Sequence, residues 1–297
     1  MKKHNKLVTA VFMALMMVSC NNNSPNLESL VTSKVEEIEG DIAVAYLNLS
    51  NPSDSLFINI DEKFHAASTM KVPVMIELFK QQAAGNFDLN DTIVLRNQFK
   101  SIVDGSLYSM DIGEDSDDEV YGKIDQKVTM REIMIPMITT SSNLATNALI
   151  EIVDAKKVTQ TMRDLGADNI EVLRGVEDQK AYDQGLSNST TARDLVMIMK
   201  AIAEGEAGNN DDTKEMLEIL KDQKWNDMIP KYFPDNIAVA HKTGSITGVH
   251  HDAAIVYLPS GEQYILVLLS KNLKDWDKGT DQLARISETI FNYLIIN

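Results

Sequence analysis

Strand-like runs at the two ends of the chain bracket a long middle stretch whose apolar positions recur with helical spacing. Near the start, Ile42 to Leu49 and Ser55 to Ile60 flank Asn51-Pro52-Ser53-Asp54, a row of turn formers, and predict a hairpin. Near the end, Ile237 to His241, Ala253 to Leu258 and Gln263 to Leu269 read as strands, the last two joined by Pro259-Ser260-Gly261. From Asp281 onward, Leu283, Ile286, Ile290 and Leu294 share one face of a terminal helix. The middle predicts a helix over Met70 to Gln82. A second should be opened by a Thr129 and Glu132 capping box and kinked or ended early by Pro136, with further starts near Asn143, Thr191 and Thr213. There is no internal repeat.

This order predicts an α/β (α+β) fold. One antiparallel sheet of about five strands is built by both chain ends, flanked by helices, with an all-helical domain inserted between them. The expected boundaries are 27–67 plus 228–297 for the sheet domain and 68–227 for the helical domain, with the active site at the seam.

The first twenty residues differ from the rest. Lys2, Lys3 and Lys6 precede an apolar run from Leu7 to Val18, too short to span a bilayer comfortably, which ends at Ser19-Cys20. The pattern is that of a signal peptide over 1–19 with a lipobox-like end, followed by a polar tether over 20–26. Cys20 is the only cysteine, which excludes an internal disulfide and a cysteine-based zinc site and leaves lipidation as its use. The expected location is the bacterial cell envelope, with an exported lipoprotein held to a membrane through Cys20.

Formal charge is -16, and removing the leader takes away three lysines and no acid, giving -19. So acidic a chain argues against nucleic acid as a partner and against attraction to anionic lipid, so attachment would rest on acyl chains. Between Asp111 and Gln126 seven acids stand in a stretch with little apolar content, which predicts an exposed loop; their spacing does not fit a calcium loop. His241, His250, His251 and Asp252 supply zinc-ligand types, although a strand end and the turn after it would bring them together for structural reasons alone. No cofactor or metal is expected, and the chain should be a monomer.

The chemistry lies in three short motifs. In Ser68-Thr69-Met70-Lys71 a helix places Ser68 and Lys71 on one face. A serine hydroxyl needs a nearby base, and Lys71 can be one only if its pKa is lowered by burial among Met70, Val72 and Met75 and by another cation such as Lys242. Ser141-Ser142-Asn143 falls between two predicted helices, where it can face a cleft or simply cap the next helix. Lys242-Thr243-Gly244-Ser245 ends a strand-like run, where a glycine permits close approach of a ligand while cation and hydroxyl bind a carboxylate. Each motif alone is weak; all three in this order point to acyl transfer through a serine ester.

With these motifs the chain resembles the class A serine β-lactamases and their relatives among penicillin-binding proteins and other β-lactamase-like serine hydrolases, a family known for this motif set. The resemblance covers most of the chain after the leader, and Val72-Pro73, Ile138 to Thr140 and Asn147 extend it around the motifs. It implies that Ser68 is the acylating nucleophile, Lys71 its activating partner and Ser141 the hydroxyl that relays a proton to the leaving nitrogen. Asn143 would hold the substrate's side-chain carbonyl, Lys242 and Thr243 its carboxylate, and the N–H groups of Ser68 and Ser245 the oxyanion. Tyr108 would be the aromatic at the cleft edge. Deacylation in class A enzymes uses a glutamate on a loop. Here the match is Arg174-Gly175-Val176-Glu177-Asp178, with one extra residue before Glu177, Asp178 as a competitor, and Ala181 where an asparagine usually helps hold the water. Ser142 likewise stands where the family usually has aspartate.

Three readings follow. The first is a β-lactamase that acylates at Ser68 and deacylates through Glu177. The second is a hydrolase or peptidase acting on cell-wall peptides or esters, and the third a lipoprotein that binds β-lactams or peptidoglycan fragments without turnover.

Overall fold

The computed structural model describes residues 26–296, so the leader, Cys20 and most of the tether lie outside the described residues. Helix α1 (Leu27–Glu36) opens on Asn26, whose side chain accepts the Ser29 N–H at 2.8 Å. The chain then forms β1 (Asp41–Asn48) and β2 (Ser55–Ile58). Short ribbons pair β3 (Phe64–His65) with β8 (Ser189–Thr190), β4 (Thr92–Val94) with β7 (Lys127–Thr129), and β5 (Phe99–Lys100) with β6 (Leu107–Tyr108). The last strands, β9 (Ala238–Ile246), β10 (Val249–Tyr257) and β11 (Gln263–Lys271), complete a five-stranded antiparallel sheet in the order β2-β1-β11-β10-β9. Both chain ends therefore share one sheet, as the sequence predicts, and Val44 pairs with Leu268.

Two strands run further than their apolar patterns imply. Lys242 to Ile246 lie within β9, where Thr243 pairs with Asp252 and Gly244 with His251, rather than beyond its end. The backbone ladder compensates for small polar side chains that alone read as a turn.

Alternation along the strands gives the sheet two apolar faces. Ala43, Ala253, Ile255, Ile265 and Val267 pack toward the helices of the middle segment in one continuous core. Val44, Ala254, Val256, Leu266 and Leu268 face the other way, against Val31 of α1 and Leu283, Ile286 and Ile290 of α9 (Trp276–Ile296). Each such fully buried valine, leucine or isoleucine side chain contributes about 1.5–3 kcal/mol.

The middle segment contributes α2 (Lys71–Ala83), α3 (Met130–Thr139), α4 (Asn143–Val153), α5 (Ala155–Asp164), the short α6 (Gln179–Asp183), α7 (Ala192–Ala203) and α8 (Asn210–Lys221). The Thr129/Glu132 box opens α3, and a buried Thr191/Asp194 box opens α7. Pro136 is accommodated inside α3, which runs on to Thr139. The Pro136 carbonyl then takes the Thr140 hydroxyl and the Ser142 N–H, both at 3.0 Å, and closes the helix at the second motif. Helix α8 starts before Thr213 because Asn209 and Asp212 form its box, and α9 starts before Asp281.

Most of the acidic segment's first half, over 111–119, is the exposed loop expected, and two of its acids depart from it. Asp117, only 9 % exposed, turns inward onto Thr140 at the end of α3, and Asp115 onto the start of α4.

Candidate active site

Ser68 sits in a 3₁₀ turn (Ala67–Met70) that runs directly into α2 and places it in a cleft of about 620 Å³. Ala67 holds a positive φ of 45°, an unfavourable value for a non-glycine residue, and its N–H donates to His65 Nδ1 at 3.0 Å. Gly244 on β9 lies so close that a Cβ there would meet the backbone nitrogens of Ser68 and Thr69 at 2.9 and 3.0 Å. The third motif thus abuts the backbone of Ser68 because it lacks a side chain at that point.

Lys71 is fully buried and bonds the second motif. Its Nζ donates to Ser141 O at 2.7 Å, Ser141 Oγ at 3.1 Å and Asn143 Oδ1 at 2.8 Å. Burial pulls its pKa down to about 7, against the opposing pull of Asp115 and Glu177. Lys242, also fully buried, donates to Ser141 Oγ at 3.1 Å and Thr243 O at 2.9 Å. Burial, and then repulsion from Lys71, holds it well below an ordinary lysine, while Asp252 acts the other way. One serine hydroxyl therefore lies between two lysines whose charged forms are disfavoured, an arrangement suited to passing a proton. Ser141 itself is held at φ 68°.

Glu177 reaches the same cleft from the opposite wall, at φ 60°, and its Oε1 accepts the Asn143 Nδ2–H at 2.7 Å. Burial raises its pKa; the Asn143 bond and Lys71 oppose the shift, and Asp115 and Glu114 add to it. The loop behind it is pinned by amides. Asn147 accepts the Val176 N–H at 2.6 Å and donates to Val176 O at 3.0 Å. Gly175 is required there, since a Cβ would lie 2.2 Å from Asn147 Oδ1. Asn188 binds both backbone groups of Arg174, whose guanidinium donates to Leu186 O and Gly175 O, each at 2.9 Å. Asp178 is buried and engaged: it accepts the Ile102 N–H at 2.9 Å and caps α6 through Ala181 N–H. Ala181, four residues after Glu177, is buried and carries no amide.

The structure brings Ser68, Asn143, Glu177 and Ser245 to the cleft wall, with Lys71, Ser141, Lys242 and Thr243 buried just behind. Tyr108 is elsewhere. Instead of edging the cleft, it lines a separate cavity of about 370 Å³ behind the 174–178 loop, and its hydroxyl donates to Val176 O at 3.2 Å. The aromatic at the cleft is Tyr182, half-exposed and edge-on to His65 at 6.4 Å. Its position in an acidic and polar stretch after Glu177 offered no apolar pattern by which to find it.

The histidines near the third motif have separate partners. His241 Nδ1 meets Asp252 Oδ1 at 2.9 Å, and His250 Nδ1 meets Thr280 Oγ1 at 2.8 Å. His251 accepts the Ser270 N–H on Nδ1, so Nε2 carries the proton donated to His65 O at 2.8 Å. Among the described residues no three His, Cys, Asp or Glu side chains gather as a metal site.

A serine hydrolase site of the β-lactamase-like kind, set between a sheet and a helical segment, is what this arrangement defines. The chain belongs to the Beta-lactamase enzyme family, whose model matches residues 26–294. It is similar to a β-lactamase of Bacillus licheniformis, 25 % identical over 242 residues that cover 80 % of this chain and 74 % of that protein. Among solved structures it is similar in fold to a β-lactamase from Sphaerobacter thermophilus, with TM-score 0.75, 24 % identity, and 90 % of this chain and 97 % of that one covered. It is likewise similar to PBP-A, with TM-score 0.79, 24 % identity, and 92 % and 97 % covered; a mutant of PBP-A is known as an acyl-enzyme complex with penicillin G.

Proposed function

We propose that the protein is a serine β-lactamase of the class A kind, working through an acyl-enzyme on Ser68. The observation that carries this reading is Ser141 Oγ, 3.1 Å from both Lys71 and Lys242, just behind the wall of a cleft lined by Ser68 and Glu177. Neutral Lys71 takes the Ser68 proton as Oγ attacks the lactam carbonyl, with the N–H groups of Ser68 and Ser245 receiving the oxyanion. The C–N bond breaks as Ser141 passes its proton to the leaving nitrogen and takes one from the protonated Lys71, which is left neutral. Asn143 then holds the acyl side chain, and Lys242 with Thr243 the carboxylate. Glu177 takes a proton from water as it attacks the ester, and a proton returned to the departing Ser68 oxygen frees the serine and restores the Glu177 carboxylate.

A second reading is favoured by one feature of the deacylation side. Asn147 clamps Val176 rather than its neighbour, and Ala181 gives Glu177 no amide with which to share a water. Slow release would make the protein a peptidase or a penicillin-binding protein with a stable adduct. Mixing the protein with a chromogenic cephalosporin, and following colour and intact mass together, separates the two. Steady turnover that vanishes in Ser68→Ala supports the lactamase; a lasting adduct without turnover supports the second reading.

Export as a lipoprotein belongs to the same proposal, supported by Lys2, Lys3 and Lys6, the apolar run to Val18, and Cys20. Fatty-acid labelling that persists in Cys20→Ala would overturn it.

A further inference from the structure

The middle position of the second motif is Ser142, so the motif itself lacks the carboxylate that stands there in the proteins it resembles. The structure supplies one in Asp115, 28 residues before Asn143. Asp115 accepts the Asn143 N–H on Oδ1 at 2.8 Å and Oδ2 at 3.0 Å, and the Leu144 N–H on Oδ2 at 2.9 Å. These are the first donors of α4, which have no partner inside the helix. Ser142 Oγ takes only the next one, Ala145 N–H, at 3.3 Å.

On the other side of Ser141, Asp117 accepts the Thr140 hydroxyl through Oδ2. Its Oδ1 is anchored by the N–H groups of Glu119 at 2.9 Å and Val120 at 3.3 Å. Ser141, at φ 68°, is therefore gripped on both flanks by carboxylates of one acidic segment. A left-handed conformation at a non-glycine residue persists only where its surroundings over-determine it.

We infer that Asp115 and Asp117 form a clasp that positions Ser141 and Asn143 for acylation, with Asp115 replacing the carboxylate that Ser142 lacks. The inference rests on the acyl-transfer reading above. Lys71 has all three of its bonds on the clasped residues, two to Ser141 and one to Asn143, so any rotation of the motif displaces the amine that it holds. Asp115 also lies near enough to Lys71 and Glu177 to act on both charges. Asp115 and Asp117 are thus positioning residues.

The test compares D115A, D115N and the double variant D115A/S142D with D118A, which removes an equal charge from an exposed position of the same segment. Burst kinetics with a chromogenic cephalosporin give the acylation rate and the dissociation constant separately. D115A should acylate at least tenfold more slowly with its dissociation constant changed less than threefold. D115N, which keeps one acceptor, should fall between D115A and the parent protein. Restoring the carboxylate within the motif, D115A/S142D should recover most of the rate, and D118A should match the parent. Equal slowing in D115A and D118A, or no recovery in a folded double variant, would overturn the clasp. Amide hydrogen exchange at Asn143 and Leu144 gives an independent reading: D115A should lose protection there, and unchanged protection sinks the clasp. Should the parent protein form no adduct, acyl transfer fails while the exchange result still decides the clasp.

Discussion

Asn143 joins Lys71 to Glu177: its Oδ1 accepts from Lys71 at 2.8 Å and its Nδ2 donates to Glu177 at 2.7 Å. One amide thus couples the base that would start acylation to the carboxylate that would end it. A side chain that must accept from one partner and donate to the other has its orientation fixed by both.

Replacing Glu177 with glutamine separates the two steps. E177Q keeps an oxygen for the Asn143 bond but cannot take a proton, so it should acylate and then stall. Intact mass after brief exposure to a penicillin should show a lasting adduct, with release slowed 100-fold or more. Release at the parent rate would remove Glu177 from the mechanism.

Adduct formation should rise with pH through about 7, where Lys71 loses its proton. Three acceptors surround its Nζ, and an ammonium fills them with its three N–H groups; only the neutral amine has a lone pair for Ser68. Release should fall on the acid side at a higher pH than an ordinary carboxylate would dictate, because burial raises Glu177 and only its anion activates water. Quenched mass spectra from pH 5 to 9 check both limbs, and a flat acylation profile would count against Lys71 as base.

Gly175→Ala tests the loop without touching the cleft. The added carbon would press on Asn147 Oδ1 at 2.2 Å, and the clamp on Val176 must yield. Glu177 should then drift from Asn143. The expected result is at least tenfold slower release with acylation changed less than threefold, read from single-turnover kinetics.

Asp194 should matter for stability alone. It is fully buried, bonds the Thr191 N–H at 3.0 Å and hydroxyl at 2.7 Å, and holds the Asn169 N–H at 3.0 Å. D194A leaves those donors without a partner and should cost about 1–3 kcal/mol. A lower denaturation midpoint with unchanged acylation at 25 °C is the expected pair of results.

The three motifs were legible in the sequence because each holds its chemistry within a few consecutive residues. Helix caps were legible for the same reason, as at Thr129 and Thr191. What escaped depends on conformation or on distant partners. Asp115 looked like one more solvated acid because its partners, Asn143 and Leu144, lie on another element. Tyr182 stands at the cleft where Tyr108 was expected, because the 174–178 loop lies between Tyr108 and the cleft. Helix α5 went unread because its N-cap, Asp154 at φ 69°, ends α4 at the same residue and leaves no gap in the pattern.

The pairing of β1 with β11 imposes an order of events on synthesis. The strand carrying Lys242 is bounded by β10, and β10 reaches β1 only through β11, so no part of the sheet beyond the first hairpin can close until nearly the whole chain has been made. Until then α2 and its serine have no opposing wall. Pairing over such long sequence separation is slow and leaves strand edges open in the interim. A chain cut short before Gln263 would retain every motif and lack the frame that makes them one site.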